Sequence, residues 1–252
     1  MTRILLSGCN GRMGRQVAAL AAETPKGTVV AGVDRAAELA DFPVFASLSD
    51  CNIEADVLVD FSNASALPDL LAYCTAHRLP AVLATTGYDE AAIASIAESA
   101  RVIPIFRSAN MSLGVNLLSA LVRRAAQVLG EDYNVEIVEM HHNQKLDAPS
   151  GTALLLADAA ADALPYAPEY VYDRHSVRKK RDPAEIGIHS LRGGTVVGEH
   201  SVLFAGEDEV ITLSHSAQSR RVFATGALRA ASFLAAQKAP RIYTMDDLIA
   251  NL

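Results

Sequence analysis

RILLSGCNGRMGRQVAALAAE, residues 3–23, is the stretch on which the fold turns. An apolar, non-alternating run (RILLS, 3–7) enters a glycine turn (GCNGRMG, 8–14), which opens directly into a helical pattern from Arg12. Glycine permits the tight turn and lets a pyrophosphate approach the backbone, while the helix N-terminus supplies N–H donors and partial positive charge. The spacing is GxxGxxG rather than GxGxxG, and such a loop alone is a weak signal. Its position strengthens it. The second strand, TVVAGVD (28–34), ends in Asp34, 20 residues after Gly14, where an acid binds the ribose hydroxyls of a dinucleotide. The competing reading is a purely structural βα turn. Arg35 and Arg12 blur the choice of nucleotide, since an acid at the strand end suits NAD and a nearby arginine suits the 2′-phosphate of NADP. Either arginine could equally be solvated, and use of NADH and NADPH alike is the working expectation.

Outward from this unit the rhythm repeats. Strands are expected at 56–62, 80–86 and 102–107, with helices at 12–23, 65–78 and 89–100. The strands are continuously apolar, as they are when helices cover both faces of a sheet. That alternation reads as α/β, a Rossmann-like doubly wound parallel sheet. Three more loops follow strand ends: DFSNAS (60–65), TTG (85–87) and SANMS (108–112). In open parallel sheets ligands bind outside the carboxyl ends of the strands, although Ser, Thr, Asn and Gly favour turns in any case.

Beyond residue 108 the order changes to a helix (116–130), a strand (133–140), a helix (150–164) and three strands within 185–216, the first two parted by Gly193 and Gly194. Short turns between strands suggest a mixed or antiparallel sheet. A last long helix (218–237) returns to the first part. Residues 1–112 with 219–252 are therefore read as a dinucleotide-binding domain. An α+β domain for substrate binding and oligomerisation (113–218) is inserted into it, with a cleft between the two.

Composition narrows the function. Half of the 252 residues are apolar, so a folded globular protein is expected. The formal charge of −7 opposes general nucleic-acid binding. No apolar run approaches the roughly 18 residues that span a bilayer, and the N-terminus lacks the pattern of a signal peptide. No nucleic-acid or membrane partner is expected. Cys9, Cys51 and Cys74 form no CxxC pair and fit a reduced, cytoplasmic setting. The basic run RHSVRKKR (174–181) reads as a solvated loop rather than a polyanion or localisation signal.

A second stretch, EMHHNQKLDAPSGTA (139–153), joins a strand to a helix and concentrates titratable groups. Pro149 and Ser150 look like a helix start, with Ser150 as cap and free N–H groups able to hold a carboxylate or phosphate. Lys145 adds a cation. A plain cap beside a surface lysine leaves His141 and His142 unexplained. Adjacent histidines at a strand end face opposite ways, and His189, His200 and His215 are scattered, so no metal site is expected. There is no GxSxG nucleophile. What remains is acid chemistry beside an anion clamp.

Taken together, GCNGRMG, E-x-H-H-x-x-K-x-D-x-P-S-G-T at 139–152, DFS at 60–62, TTG at 85–87, N-x-S-x-G-V-N at 110–116, GEH at 198–200 and SR at 219–220 resemble the dihydrodipicolinate reductase (4-hydroxy-tetrahydrodipicolinate reductase) family. The likeness spans nearly the whole chain. Ala84 and Ala64 depart from it, standing where the family often has glycine and proline. The resemblance implies reduction of a cyclic, unsaturated dicarboxylate by NADH or NADPH in the diaminopimelate route to lysine, by a homotetramer joined through the second domain. It implies His141 and Lys145 as the proton-donor pair, and His142, Lys145, Ser150, Gly151 and Thr152 as substrate ligands. Gly8, Gly11, Arg12, Met13, Gly14, Asp34 and Arg35 would bind the dinucleotide, with Phe61, Thr85, Gly87 and Asn110 by the nicotinamide. The alternatives are another two-domain amino-acid or semialdehyde dehydrogenase, which need not carry HHxxK before PSGT, and a dinucleotide sensor, which would need neither His141 nor Lys145.

Overall fold

A computed structural model describes residues 1–25, 27–36 and 40–252. In chain order it holds β1 (Thr2–Ser7), α1 (Arg12–Glu23), β2 (Gly27–Val33), β3 (Val44–Phe45), β4 (Val57–Asp60), α2 (Leu67–Ala76), β5 (Ala81–Leu83), α3 (Glu90–Ser99) and β6 (Ile105–Arg107). Next come α4 (Leu113–Leu129), β7 (Asn134–His141), α5 (Gly151–Ala161), β8 (Glu169–Val171), β9 (Glu185–Arg192), β10 (Gly198–Ala205) and β11 (Val210–Ala217). The chain closes with α6 (Arg221–Ala235), β12 (Ile242–Tyr243) and α7 (Met245–Ile249). It divides into two compact units, one of Met1–Leu113 with Arg220–Leu252, the other of Gly114–Ser219.

In the first unit seven parallel strands run in the order β12-β6-β5-β4-β1-β2-β3. Strand alternation explains the unbroken apolar runs. Ile4 and Leu6 of β1 enter a cluster with Val17 and Leu20 of α1 and Ala227 and Leu228 of α6. Leu5, between them, enters a second cluster with Leu70 and Cys74 of α2 and Ile96 of α3. Val57 and Val59 against Leu58 on β4 repeat the division. Each such fully buried side chain contributes roughly 1.5–3 kcal/mol, taken as an upper bound. Helix α6 lies close because its inner face is Ala and Gly; a methyl on Gly226 would stand 1.7 Å from the Met111 carbonyl oxygen.

The second unit has a five-stranded sheet in the order β11-β10-β7-β9-β8. β10 is antiparallel to β7 and β11, whereas β9 runs parallel to β7 and β8. The sheet is mixed because α5 lies in the connection from β7 to β9, and a parallel return needs such a crossover.

Several boundaries differ from the sequence reading. β6 begins at Ile105 rather than 102, because the amides of Val102 and Ile103 both bond Ser99 O to close the end of α3. β10 begins at Gly198 because residues 194 and 195 turn, with Gly194 at φ +52. β3, β8, β12 and α7 were not anticipated; at two to five residues they carry no readable period.

Candidate active site

Register across the second sheet sorts one face into rows. Ile186, Val135, Phe204 and Ile211 stand side by side, then Ile188, Ile137, Val202 and Leu213. Both rows pack into the apolar cluster with Ala153, Leu156, Ala157 and Ala160 of α5. Two residues further along the strands the row becomes Ser190, Glu139, His200 and His215, and beyond it His141 lies opposite Arg192. The same face is thus apolar under the body of α5 and polar beside its N-terminus.

That polar end is densely bonded. Glu139 has no exposed surface, and its carboxylate receives Arg192 on both oxygens at 2.9 and 2.8 Å. The same carboxylate meets His141 Nδ1 at 2.5 Å and the Ser150 amide at 3.2 Å. Burial raises the Glu139 pKa, but hydrogen bonds from Arg192, Ser190 and His141 outweigh it and hold the carboxyl down at about 2. Ser150 caps α5, accepting from the Ala153 amide at 3.1 Å, and its Oγ also lies 2.9 Å from His200 Nε2. The His200 ring meets His141 edge to face at 5.2 Å between centroids. Burial, and then the neighbouring His141, push the His200 pKa down to about 4, so this ring is neutral near pH 7. His200 Nδ1 is buried with no hydrogen-bond partner. Placing the proton on Nε2 avoids stranding an N–H there.

The other expected substrate residues lie in the same stretch of chain, between β7 and the first turn of α5. His142 follows β7, and its carbonyl receives the Lys145 amide at 3.2 Å. Lys145 Nζ is held by both oxygens of Asp147, at 2.9 and 2.8 Å. Gly151 is exposed at the first turn of α5, with open space where a side chain would stand. Thr152, half-buried, follows it.

In the first unit, Gly8 lies at φ +74 with its amide on Val33 O at 2.9 Å, and a methyl on it would strike the Phe61 carbonyl at 2.7 Å. A methyl on Gly14 would sit 2.1 Å from Gly8 O, so α1 approaches the turn only because Gly14 is bare. Gly11 is the N-cap of α1 and contributes no side-chain cap, leaving the helix start open to an anion. Asp34 accepts from the Asn10 amide at 3.0 Å and the Ala36 amide at 3.4 Å, tying the glycine loop to the end of β2. Arg12 and Arg35 are exposed, and Met13 packs on the core. Thr85 gives its hydroxyl to buried Asp60 at 2.7 Å, Gly87 turns at φ +81, and Asn110 Oδ1 receives the Ser112 amide at 2.9 Å. The strand order reverses between β1 and β4, and Gly8 and Phe61 flank that switch point, the place where open α/β sheets bind ligands.

Comparison with known proteins matches a family model described as dihydrodipicolinate reductase, N-terminus, over residues 2–111, and its C-terminal counterpart over residues 114–249. The chain belongs to the dihydrodipicolinate reductase family. Curated relatives named 4-hydroxy-tetrahydrodipicolinate reductase include one from Caldanaerobacter subterraneus subsp. tengcongensis, 55% identical over 249 residues (99% of this chain, 98% of the relative). One from Clostridium tetani is 47% identical over 250 residues (99% and 97%). A solved structure of dipicolinate-bound dihydrodipicolinate reductase from Paenisporosarcina sp. TG-14 shares the fold, with TM-score 0.80 at 24% identity, covering 97% of each chain. As a member of the dihydrodipicolinate reductase family the chain is an NAD(P)H-dependent oxidoreductase. The glycine loop, its bare helix start and Asp34 fit that cofactor.

Three residues of the polar cluster lie outside the expected site: Glu139, Arg192 and His200. Glu139 was signalled by its place two residues before His141, on the same strand face. Arg192 and His200 lie 51 and 59 residues beyond His141, and only strand pairing brings them in. The same strand pairing sets His200 opposite His215 and beside His141, while His189 pairs with Glu136. The basic run is also not simply solvated. Arg174 and Lys179 pair with Glu185, and Arg174 and Arg181 with Glu136. No helix among the described residues is long and apolar enough to cross a membrane.

Proposed function

We propose that the chain reduces 4-hydroxy-tetrahydrodipicolinate, or dihydrodipicolinate, to tetrahydrodipicolinate in the diaminopimelate route of lysine biosynthesis. The observation that carries this reading is one polar sheet end where His141, Lys145 and the capped start of α5 lie within a 12-residue stretch of chain. Gly8, Gly11, Arg12, Met13, Gly14, Asp34 and Arg35 would hold NAD(P)H, with Phe61, Thr85, Gly87 and Asn110 by its nicotinamide, and the cofactor would supply the hydride.

The chain's own residues do the remainder. Ser150 Oγ accepts from the Ala153 amide and from His200 Nε2–H, so its own hydroxyl proton is left to a substrate carboxylate. Gly151 and Thr152 stand at the positive end of α5, which favours a bound carboxylate. His142 would add a polar contact to the substrate, and Lys145 exchanges Asp147 for a carboxylate of the substrate. His141 or Lys145 stabilises and protonates the nitrogen on which electron density builds, help worth roughly 10²–10⁴ in rate.

The resemblance also carries a homotetramer assembled through the second unit and a cytoplasmic setting. Three buried free cysteines are compatible with that setting. Turnover of NADH and NADPH with freshly generated 4-hydroxy-tetrahydrodipicolinate tests the reaction, and light scattering the assembly. A folded chain that binds dinucleotide but turns over neither cofactor would shift the reading to another dehydrogenase.

A further inference from the structure

We infer that Glu139, its charge balanced by Arg192, is the positioning residue of His141: it binds Nδ1 and so makes Nε2 the atom that meets the substrate. The inference rests on the reading of His141 as an acid.

Geometry carries it. Residues 139 and 141 share one face of β7, so the carboxylate reaches the ring within its own strand, at 2.5 Å. An ionised carboxylate only accepts, so Nδ1 must hold a proton, and the ring's free edge is Nε2. That edge points at Gly198, where a methyl group would stand 3.0 Å from Nε2. A bare backbone position therefore keeps room at the ring nitrogen that Glu139 does not bind.

A buried carboxylate beside an anion clamp would repel a dicarboxylate. Arg192 answers this with two hydrogen bonds to Glu139, and its Nη2 also donates to Asp147 O at 2.7 Å. The pair is locally neutral, and Glu139 remains an acceptor. The same carboxylate accepts the Ser150 amide, so one group sets both the acid and the helix cap that meets the substrate.

In the step this serves, the Nε2–H bond breaks and the substrate nitrogen's electron pair forms the new N–H bond. The Nε2–H pair stays on the ring, which becomes neutral with Nδ1–H still on Glu139. The hydride that completes the reduction comes from NAD(P)H. No proton passes to Glu139, the role a triad aspartate has beside its histidine.

The test begins with wild-type turnover of 4-hydroxy-tetrahydrodipicolinate, whose absence would defeat the functional reading rather than this one. Given turnover, Glu139→Gln is expected to lower kcat about 100-fold or more, with the Kd for NADH unchanged. The ¹⁵N resonances of His141 should show its proton leaving Nδ1, and Glu139→Asp should restore part of the rate. Should Glu139→Gln fail to fold, Gly198→Ala serves: kcat falls similarly while the Nδ1 proton stays in place. Full turnover in either variant, or an unchanged His141 tautomer in Glu139→Gln, would overturn the inference.

Discussion

His200 Nε2 lies 2.9 Å from Ser150 Oγ, joining the start of β10 to the N-cap of α5 across 50 residues of chain. The contact is buried, and it gives the protein a titration that can be read from outside. The native His200 pKa lies near 4, below the ordinary value of 6.5, so the unfolded chain binds the extra proton first as pH falls. Stability is full above pH 6.5 and is lost as pH drops toward 4, by roughly 3 kcal/mol. Urea unfolding of wild type and His200→Gln over that range checks it, with the variant showing the flatter profile. Glu139 acts lower: its folded pKa of about 2 loses stability between the ordinary 4.5 and 2.

Lys145 and Asp147 form a pair in which the lysine is 20% and the aspartate 62% exposed. Lys145→Met should reduce kcat by roughly 10²–10⁴ while leaving the Kd for NADH alone. Asp147→Asn removes a competitor for Nζ, and should lower the KM for the dicarboxylate a few-fold. Steady-state kinetics with both substrates varied separates these outcomes.

Asp34 accepts from the Asn10 amide and directly follows β2. Asp34→Ala should weaken NADH more than NADPH, because the acid serves the free 2′-hydroxyl and repels a 2′-phosphate. Fluorescence titration with each nucleotide checks it; equal losses would mean that Asp34 does not read the 2′ position.

Gly14→Ala should destabilise the first unit by about 1–3 kcal/mol, since the new methyl meets Gly8 O at 2.1 Å and Cys9 backbone at 2.7 Å. The urea midpoint should fall, and dinucleotide affinity with it, because the helix start is displaced from the loop.

Legibility followed the range over which each feature is encoded. The parallel sheet could be read from residues 3–107 because unbroken apolar strands, helix patterns and the glycine turn are each written within a few neighbours. The cap at Ser150 was equally local. Short elements were silent: β12 is two residues long and exists because β6 offers Phe106 and Ile105 as partners.

The sequence by itself determined the class of fold, the place of the dinucleotide loop and the stretch carrying His141, Lys145 and Ser150, because each is a contiguous pattern. Only the tertiary structure decided what surrounds His141. Strand pairing sets Arg192 and His200 beside it, burial keeps His200 neutral, hydrogen bonds from Arg192, Ser190 and His141 keep Glu139 ionised against its burial, and the bare Gly198 leaves Nε2 its space. Those relations depend on register between distant strands, with Arg192 paired to His141 across 51 positions and His200 to Glu139 across 61, which no local pattern encodes.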